Sequence, residues 1–228
     1  VPLLPLYSSM RAYIRAKVTS FLLDDPGIPQ AVKEQAQIEA TAYYKLAWQY
    51  TQPAQGKIII MSGLSGSGKS TTARNLASQL EAIHLRSDAV RKHLAGIDLT
   101  QRGETTMYAP EMTARTYARL AELGITIASH GFNVILDAKY DRLNLRQDVI
   151  TQAEAQSIPW QILYCQTDTA LLKQRLRDRV GDIADATADL VDSQQQQFEA
   201  FTEMELEKVI SLDTTHYIDC ANLIGKIS

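Results

Sequence analysis

Two kinds of apolar pattern divide this chain near residue 55. Before that point no strand pattern is present, and DDPGIP at 24–29 separates two helical stretches. In the first helical stretch, apolar residues recur at helical spacing at Met10, Ile14, Val18, Phe21 and Leu22. The later sequence TQPAQG has the composition of a linker. We therefore predict an N-terminal helical segment over 1–55 and a separate domain over 56–228.

From residue 56 onward, short strand patterns alternate with longer helical patterns. The predicted strands are 57–61, 82–86, 133–137, 160–165 and 216–218. The predicted helices are 71–80, 90–94, 111–129, 144–157, 169–179 and 188–209. Strands that alternate with helices form βαβ units, whose crossover helices cover both faces of a parallel sheet. The pattern therefore predicts an α/β fold with a five-stranded, mostly parallel sheet.

Charge and composition exclude several functions. The formal net charge of −3 makes an extended nucleic-acid-binding surface unexpected. No apolar run reaches the roughly 20 residues that span a bilayer, and no signal peptide is predicted. We therefore expect a cytoplasmic protein. Cys165 and Cys220 lie in apolar runs and are interpreted as buried free thiols. The spacing of the four histidines is not that of metal ligands. The run SQQQQF lies within a predicted helix, and we assign no function to it.

The stretch GLSGSGKS at 63–70 matches the phosphate-binding pattern G-x-x-x-x-G-K-[ST]. Consecutive backbone N–H groups can point inward around phosphates only at backbone angles that glycine tolerates, and the following helix adds its N-terminal dipole. A chance glycine-rich turn is the alternative, but the motif follows a predicted strand and opens a predicted helix. The lysine would contact the β- and γ-phosphates and the last serine would bind Mg²⁺. The predicted nucleotide-binding residues here are Gly63, Ser65, Gly66, Ser67, Gly68, Lys69, Ser70 and Thr71.

A second candidate element, HLRSDAVRK at 84–92, follows the second predicted strand. Open α/β sheets bind ligands at the carboxyl ends of their strands, where Asp88 would lie. Its carboxylate could accept a proton from a substrate hydroxyl that attacks the γ-phosphate. Arg91, one helical turn later, could bind an anionic group of the substrate. The alternative, that Ser87 and Asp88 only cap a helix, fits the spacing equally well.

A third candidate element, NVILDAKYDRLNLR, begins at Asn133. Asp137 ends an apolar strand, which is a usual place for a carboxylate that orients metal-bound water or a catalytic arginine. Arg142 follows and is a candidate substrate-binding residue. The alternative is a helix-capping aspartate followed by solvated basic residues.

The fourth candidate element is LLKQRLRDRVGDIADATADL, which begins at Leu171. Arg175 and Arg179 are four residues apart and share a helix face. The VGD sequence then breaks the helix, as in a hinged lid whose arginines close over the triphosphate. A charged helix face without function is the alternative.

These stretches together resemble the small P-loop kinases of the zeta-toxin and polynucleotide-kinase-like group. The likeness is strongest to the ATP-binding kinase module that follows an aminoglycoside-phosphotransferase-like domain in some bacterial bifunctional proteins. It covers nearly the whole chain and rests on GLSGSGKST, LRSDAVRK, MYAPEMTARTYARLAELG, GFNVILDAKYDR, LRDRVGDIADATADLV and YYKLAWQY.

The resemblance implies a kinase that uses ATP and Mg²⁺ and phosphorylates a hydroxyl of a small-molecule or nucleotide-like acceptor. It implies Asp88 as the general base, Arg91 on the substrate and Arg179 on the lid, with Lys69 and Ser70 on Mg²⁺·ATP. Where the group usually has Asp-Ala-Thr, this chain has a lysine at position 139. The resemblance therefore leaves the substrate contact at that position undefined.

The resemblance also carries expectations about the fold and the partners. The predicted strands should lie in the spatial order 83, 133, 57, 160 and 216. A segment like LPLYSSMRAYIRAKV ends the upstream domain in the bifunctional proteins, and this chain begins without Met. We therefore expect residues 1–24 to derive from such a domain, which is a candidate partner. A 5′-hydroxyl polynucleotide kinase and a non-catalytic nucleotide-binding regulatory module are the alternative functions.

Overall fold

A computed structural model describes residues 3–52, 56–101, 103, 105–178, 191–216 and 218–227. The chain divides into two compact units, Val1–Ala54 and Gln55–Ser228. Among the described residues, no helix has the length and apolar character needed to cross a membrane.

The first unit is a pair of packed helices, α1 (Leu4–Asp24) and α2 (Gln30–Gln49). The hydroxyl of Ser9 donates a hydrogen bond to the carbonyl oxygen of Ala47, and so joins the start of one helix to the end of the other. The two predicted helices are confirmed, but the large apolar residues of α1 are exposed. The buried positions are instead the alanines Ala12, Ala16, Ala36, Ala40 and Ala47. The small side chain of alanine lets the two helix backbones approach closely, and this close packing buries the alanine positions.

The second unit contains a sheet of five described strands, all parallel. The strands are β1 (Ile58–Ser62), β2 (Ile83–Arg86), β3 (Val134–Asp137), β4 (Trp160–Gln166) and β5 (Val209–Asp213). Their spatial order is β2-β3-β1-β4-β5, which confirms the predicted order of the first four strands, while the fifth place is taken by residues 209–213 and not by 216–218. The central strand β1 is buried along its whole length, as a strand covered on both faces should be.

Helices cover both faces of the sheet. Helices α5 (Pro110–Ser129) and α6 (Leu143–Ala155) pack on the face that includes Ile58 and Ile60. Helices α3 (Lys69–Gln79) and α10 (Cys220–Ile227) pack on the face that includes Ile59 and Met61. This alternation follows from the two-residue period of a strand. The described helices of this unit are α3 (Lys69–Gln79), α4 (Ser87–Ala95), α5 (Pro110–Ser129), α6 (Leu143–Ala155), α7 (Thr169–Arg177), α8 (Val191–Gln197), α9 (Glu203–Leu206) and α10 (Cys220–Ile227), with a 3₁₀ turn at Thr105–Tyr108.

The predicted fifth strand was placed too late in the sequence. The expected strand at 216–218 does not form at the described residues His216 and Ile218, and the described part of the predicted helix 188–209 forms two short helices that end before β5. The sequence VISLD starts with two β-branched residues, which favour a strand, and it pairs with Ile162 to Gln166 of β4. Just after the predicted strand, Asp219 accepts a hydrogen bond from the backbone N–H of Ala221, at the start of α10.

A buried arginine holds α6 to α9 and to the segment that precedes α9. Arg146 is 0% exposed, and its Nε donates a hydrogen bond of 2.6 Å to Glu205 of α9. Burial acts to raise the pKa of Glu205, but the hydrogen bonds from Arg146 and Thr202 outweigh it and keep that pKa low. The interpretation of this region as solvated basic residues is therefore wrong for Arg146. Its guanidinium also donates to the carbonyl oxygens of Tyr140, Glu199 and Ala200.

We predict that Glu205→Gln lowers the free energy of unfolding at pH 7 by about 3 kcal/mol, because it leaves the buried guanidinium without its counter-charge. A lowered folded-state pKa gives stability above the usual glutamate pKa, and this stability disappears as the pH falls through the folded-state value. Urea unfolding should therefore show the wild type and the variant converging in acid.

Glu207→Gln is the matched control, because Glu207 is exposed and directly follows the same helix. It should change stability by less than about 0.5 kcal/mol. Equal losses in the two variants, or a difference that persists unchanged in acid, would contradict the proposed charge pairing.

Candidate active site

The loop between β1 and α3 needs glycine at its first position. Gly63 has φ of 134°, and a Cβ atom there would lie 2.3 Å from the carbonyl oxygen of Cys165. Gly68 precedes α3 with φ of 83°, in the left-handed region that favours glycine. The loop thus has the backbone angles and the close approach that a phosphate cradle requires.

Neighbouring loops fix the phosphate loop from two sides. The N–H of Gly63 donates to the carbonyl oxygen of Lys139, which follows β3. On the other side, the hydroxyl of Thr214 donates to the carbonyl oxygen of Ser67 at 2.9 Å. Arg175 of α7 in turn donates to the carbonyl oxygen of Thr214 at 2.6 Å. The predicted nucleotide-binding arginine therefore lies beside the loop and holds a segment that contacts it.

The predicted phosphate-binding lysine is buried in this loop. Lys69 is 8% exposed, and its Nζ donates to the carbonyl oxygen of Leu64 at 2.7 Å. Burial lowers the pKa of Lys69, and the negative charge of Asp137 opposes that effect. The ammonium group therefore lies in a desolvated site with a nearby carboxylate, where an anionic ligand would interact with it strongly.

Asp137 lies at the carboxyl end of β3 and is 4% exposed. Its Oδ2 is 2.9 Å from Nε2 of His84 and 3.8 Å from Nε of Arg86. Burial acts to raise the pKa of Asp137, but the His84 hydrogen bond, the Lys69 charge and a hydrogen bond with Ser70 together lower it. Asp137 is therefore held as a carboxylate. It does not cap α6, whose N-cap is Arg142.

Asp88 lies in the first turn of α4 and lines the same cavity as Lys69. Its negative charge also acts on Lys69 to raise the lysine pKa. The N-cap of α4 is Arg86, so Asp88 is not the capping residue, although a negative charge in the first turn favours the helix. The position is compatible with a proton acceptor that faces the phosphate loop.

Arg91 lies one turn further along α4 and is buried. Its Nη1 donates to the carbonyl oxygen of Met107 at 2.9 Å and to Thr113 at 3.2 Å, and its guanidinium lies over the ring of Tyr108. Its Nε is buried and has no hydrogen-bond partner within the described residues. Arg91 is thus held in one orientation on the wall of the cavity.

One cavity of about 1330 Å³ brings most of the predicted site together. The predicted site residues that line it are Ser65, Gly66, Gly68, Lys69, Ser70, Thr71, Asp88, Arg91, Asp137, Arg142 and Arg175. Gly63 and Ser67 are buried in the loop behind it. Arg142 is more exposed and interacts with Glu199 and Gln197. Arg179, the predicted catalytic lid residue, lies outside the described residues.

Two residues of this region were not predicted. His84 contacts Asp137, and the signal for it was available, because His84 and Arg86 lie on the same face of β2 and Arg86 is paired in register with Asp137. Gln194 of the glutamine run accepts a hydrogen bond from the backbone N–H of Ser65 at 3.1 Å. No local sequence signal links these two residues, which are 129 positions apart.

Mg²⁺ would fit between Ser70 and Asp137. A hydroxyl and a carboxylate are oxygen donors of the kind that Mg²⁺ binds through one or two protein groups together with substrate phosphates. Both side chains line the same cavity, and Ser70 is close enough to Asp137 to help lower its pKa. Within the described residues, no cluster of three or more His, Cys, Asp or Glu side chains could hold a metal by itself.

A parallel sheet with a glycine-rich phosphate loop after its central strand defines a P-loop nucleotide-binding fold. Residues 58–201, more than half of the chain, match the family described as AAA domain. The chain belongs to this family.

The sequence is also similar to curated proteins. An uncharacterised protein of Mycobacterium tuberculosis is 26% identical over 188 residues, which are 81% of this chain and 36% of that protein. The chain thus spans about a third of the length of the curated relatives it matches.

Solved structures of kinases share the fold as well. A gluconokinase from Sinorhizobium meliloti aligns over 77% of this chain and 89% of its own, with 18% identity and a TM-score of 0.52. The APS kinase of Mycobacterium tuberculosis in complex with AMPPNP and APS aligns over 76% and 98%, with 20% identity and a TM-score of 0.52. At these identities the likeness shows the fold.

We predict that Lys69→Ala weakens Mg²⁺·ATP binding, measured by calorimetry, by at least about tenfold, roughly 1.4 kcal/mol. The physical reason is the loss of a desolvated charge beside the phosphates. Lys226→Ala removes an exposed lysine of the same unit and should leave binding unchanged. Equal affinities of wild type and Lys69→Ala would exclude this loop as the phosphate site.

Proposed function

We propose that the chain is an ATP-dependent kinase that transfers the γ-phosphate of ATP to a hydroxyl of a small-molecule or nucleotide-like acceptor. One observation carries the proposal: a single cavity contains the phosphate loop with Lys69 together with the carboxylates of Asp88 and Asp137. Family membership and the kinases that share the fold support it. The motif resemblance to the zeta-toxin and polynucleotide-kinase-like group is part of the same proposal.

In this mechanism, the loop N–H groups and Lys69 bind the phosphates, and Ser70 and Asp137 bind or orient Mg²⁺. Bound Mg²⁺ would neutralise charge on the phosphates as the phosphoryl group transfers. Asp88 accepts the proton of the acceptor hydroxyl while that oxygen forms its bond to the γ-phosphorus. The bond from the γ-phosphorus to the bridging oxygen breaks, and ADP leaves.

The charge around the acceptor side of the cavity supports an anionic acceptor. Arg91 has a fixed orientation and lines the cavity together with Lys139 and Arg142. Lys139 forms an ion pair of 2.9 Å with Asp141, so its charge is partly offset before a ligand binds. We assign Arg91 to the anionic group of the acceptor, and Arg175 with Arg179 to the triphosphate.

The proposal for the whole protein includes an upstream phosphotransferase-like domain, because of the resemblance to bifunctional proteins and because the relatives are about three times as long as the matched region. A screen with γ-labelled ATP over metabolites, nucleotides and oligonucleotides would identify the acceptor. Label on oligonucleotide 5′ ends would identify a polynucleotide kinase instead. ATP binding without label transfer to any acceptor would favour a regulatory module.

We predict that Asp88→Asn binds Mg²⁺·ATP normally but loses on the order of 10²-fold or more in phosphoryl transfer, because asparagine keeps the size of the side chain and removes its basicity. Transfer to the acceptor found in the screen is measured by release of labelled product.

Asp148→Asn is the control, because Asp148 is an exposed aspartate of α6 outside the cavity. It should retain wild-type turnover. Near-wild-type turnover by Asp88→Asn would reject Asp88 as the base and make Asp137 the next candidate.

A further inference from the structure

One peptide group of the phosphate loop is bound from both ends. The carbonyl oxygen of Leu64 accepts a hydrogen bond from Nζ of Lys69 at 2.7 Å. The N–H of Ser65, in the same peptide unit, donates to Oε1 of Gln194 at 3.1 Å. A side chain from α8, far along the sequence, is therefore connected to the phosphate-binding lysine through a single peptide group.

The planarity of this peptide makes the connection rigid. A peptide unit is planar, so fixing the direction of its N–H also fixes the direction of its C=O. Hydrogen bonds that share one peptide group also polarise and strengthen one another. Gln194 thus fixes the plane of the peptide, and the peptide fixes the location of the Lys69 ammonium.

Helix α8 presents Gln194 from a packed position. Val191, one turn earlier, is buried in a cluster with Leu172 and Leu176 of α7, and Leu64 packs against that cluster. Asp192 of α8 pairs with Lys173 of α7 at 2.8 Å. Gln194 itself is 8% exposed. The apolar cluster and the ion pair between α7 and α8 therefore hold α8 where the amide of Gln194 reaches the loop.

We propose that Gln194 is a positioning residue of the nucleotide site: by holding the Leu64–Ser65 peptide, it places the Lys69 ammonium where the terminal phosphates bind. The identity of the ligand as ATP rests on the proposed function, but the positioning role is a property of the loop. Gln194 acts through Lys69 and takes no part in proton transfer.

The test is a double-mutant cycle on nucleotide affinity. Gln194→Met removes the acceptor oxygen from a side chain of similar length, and it should weaken binding of Mg²⁺ with a fluorescent ATP analogue by about 5- to 10-fold. In the Lys69→Ala background the same substitution should have an effect of less than about twofold, because the lysine that it positions is gone. Gln196→Met, on an exposed position of the same helix, should leave affinity unchanged in both backgrounds.

Each other outcome contradicts the proposal. Unchanged affinity in Gln194→Met would mean that the contact has no role in binding. Tighter binding would mean that Gln194 competes with the phosphate for the N–H of Ser65. Equal losses with and without Lys69 would indicate a general structural effect. Failure of wild type to bind the nucleotide would instead remove the proposed function, so the two failures are distinguishable.

A second variant distinguishes an effect on nucleotide binding from an effect on the packing of the protein. Gln194→Asn keeps an amide but withdraws it by one methylene group, so it should weaken nucleotide binding in the same direction. The thermal unfolding midpoint of each nucleotide-free variant is measured in parallel. A loss of affinity in Gln194→Asn with an unchanged midpoint supports positioning, whereas wild-type affinity with the amide oxygen withdrawn from Ser65 would overturn it.

Discussion

The close approach of Gly63 to the carbonyl oxygen of Cys165 is the constraint on which the site depends. A side chain at this position would lie 2.3 Å from that oxygen, so the chain can leave β1 in this direction only with glycine. β1 is central and parallel to β3 and β4, so both neighbours end at the same edge. They supply the carbonyl groups of Lys139 and Cys165 between which the loop begins. The sheet order therefore determines where the phosphate loop can form.

The charges of the site offset one another before any ligand binds. Desolvation disfavours the ammonium of Lys69, and Asp137 and Asp88 favour it. Asp137 is also buried, and its carboxylate is stabilised by His84 at 2.9 Å and by the charge of Lys69. A buried charge is stable only with such partners, which is why the site needs groups from three different strand ends. A phosphate that enters would replace part of this internal pairing with its own charge.

The sequence predicted the parts of this architecture that are local and missed those that depend on tertiary contacts. The phosphate loop, four of the five strands and the strand order followed from short patterns and from a motif resemblance. β5 was missed because the predicted helix 188–209 runs into its first residue and the last strand was predicted at 216–218, and only pairing with β4 shows VISLD to be a strand. No local sequence pattern predicts the contact of Gln194, because its partner Ser65 is 129 residues away. The packing of α1 on α2 through alanines was not predicted, because the larger apolar residues nearby dominate the sequence pattern.

The same long-range contacts make the two sides of the cavity dependent on each other. Arg175 of α7 holds Thr214, which binds the carbonyl of Ser67, and Gln194 of α8 binds the N–H of Ser65. Because α7 and α8 also pack on each other through Leu172, a displacement of either helix would change the direction of loop peptides at two points. The loop therefore cannot reorganise around a phosphate independently of these helices. A ligand that contacts Arg175 would thereby act on the geometry of the phosphate loop through packed side chains and two hydrogen bonds.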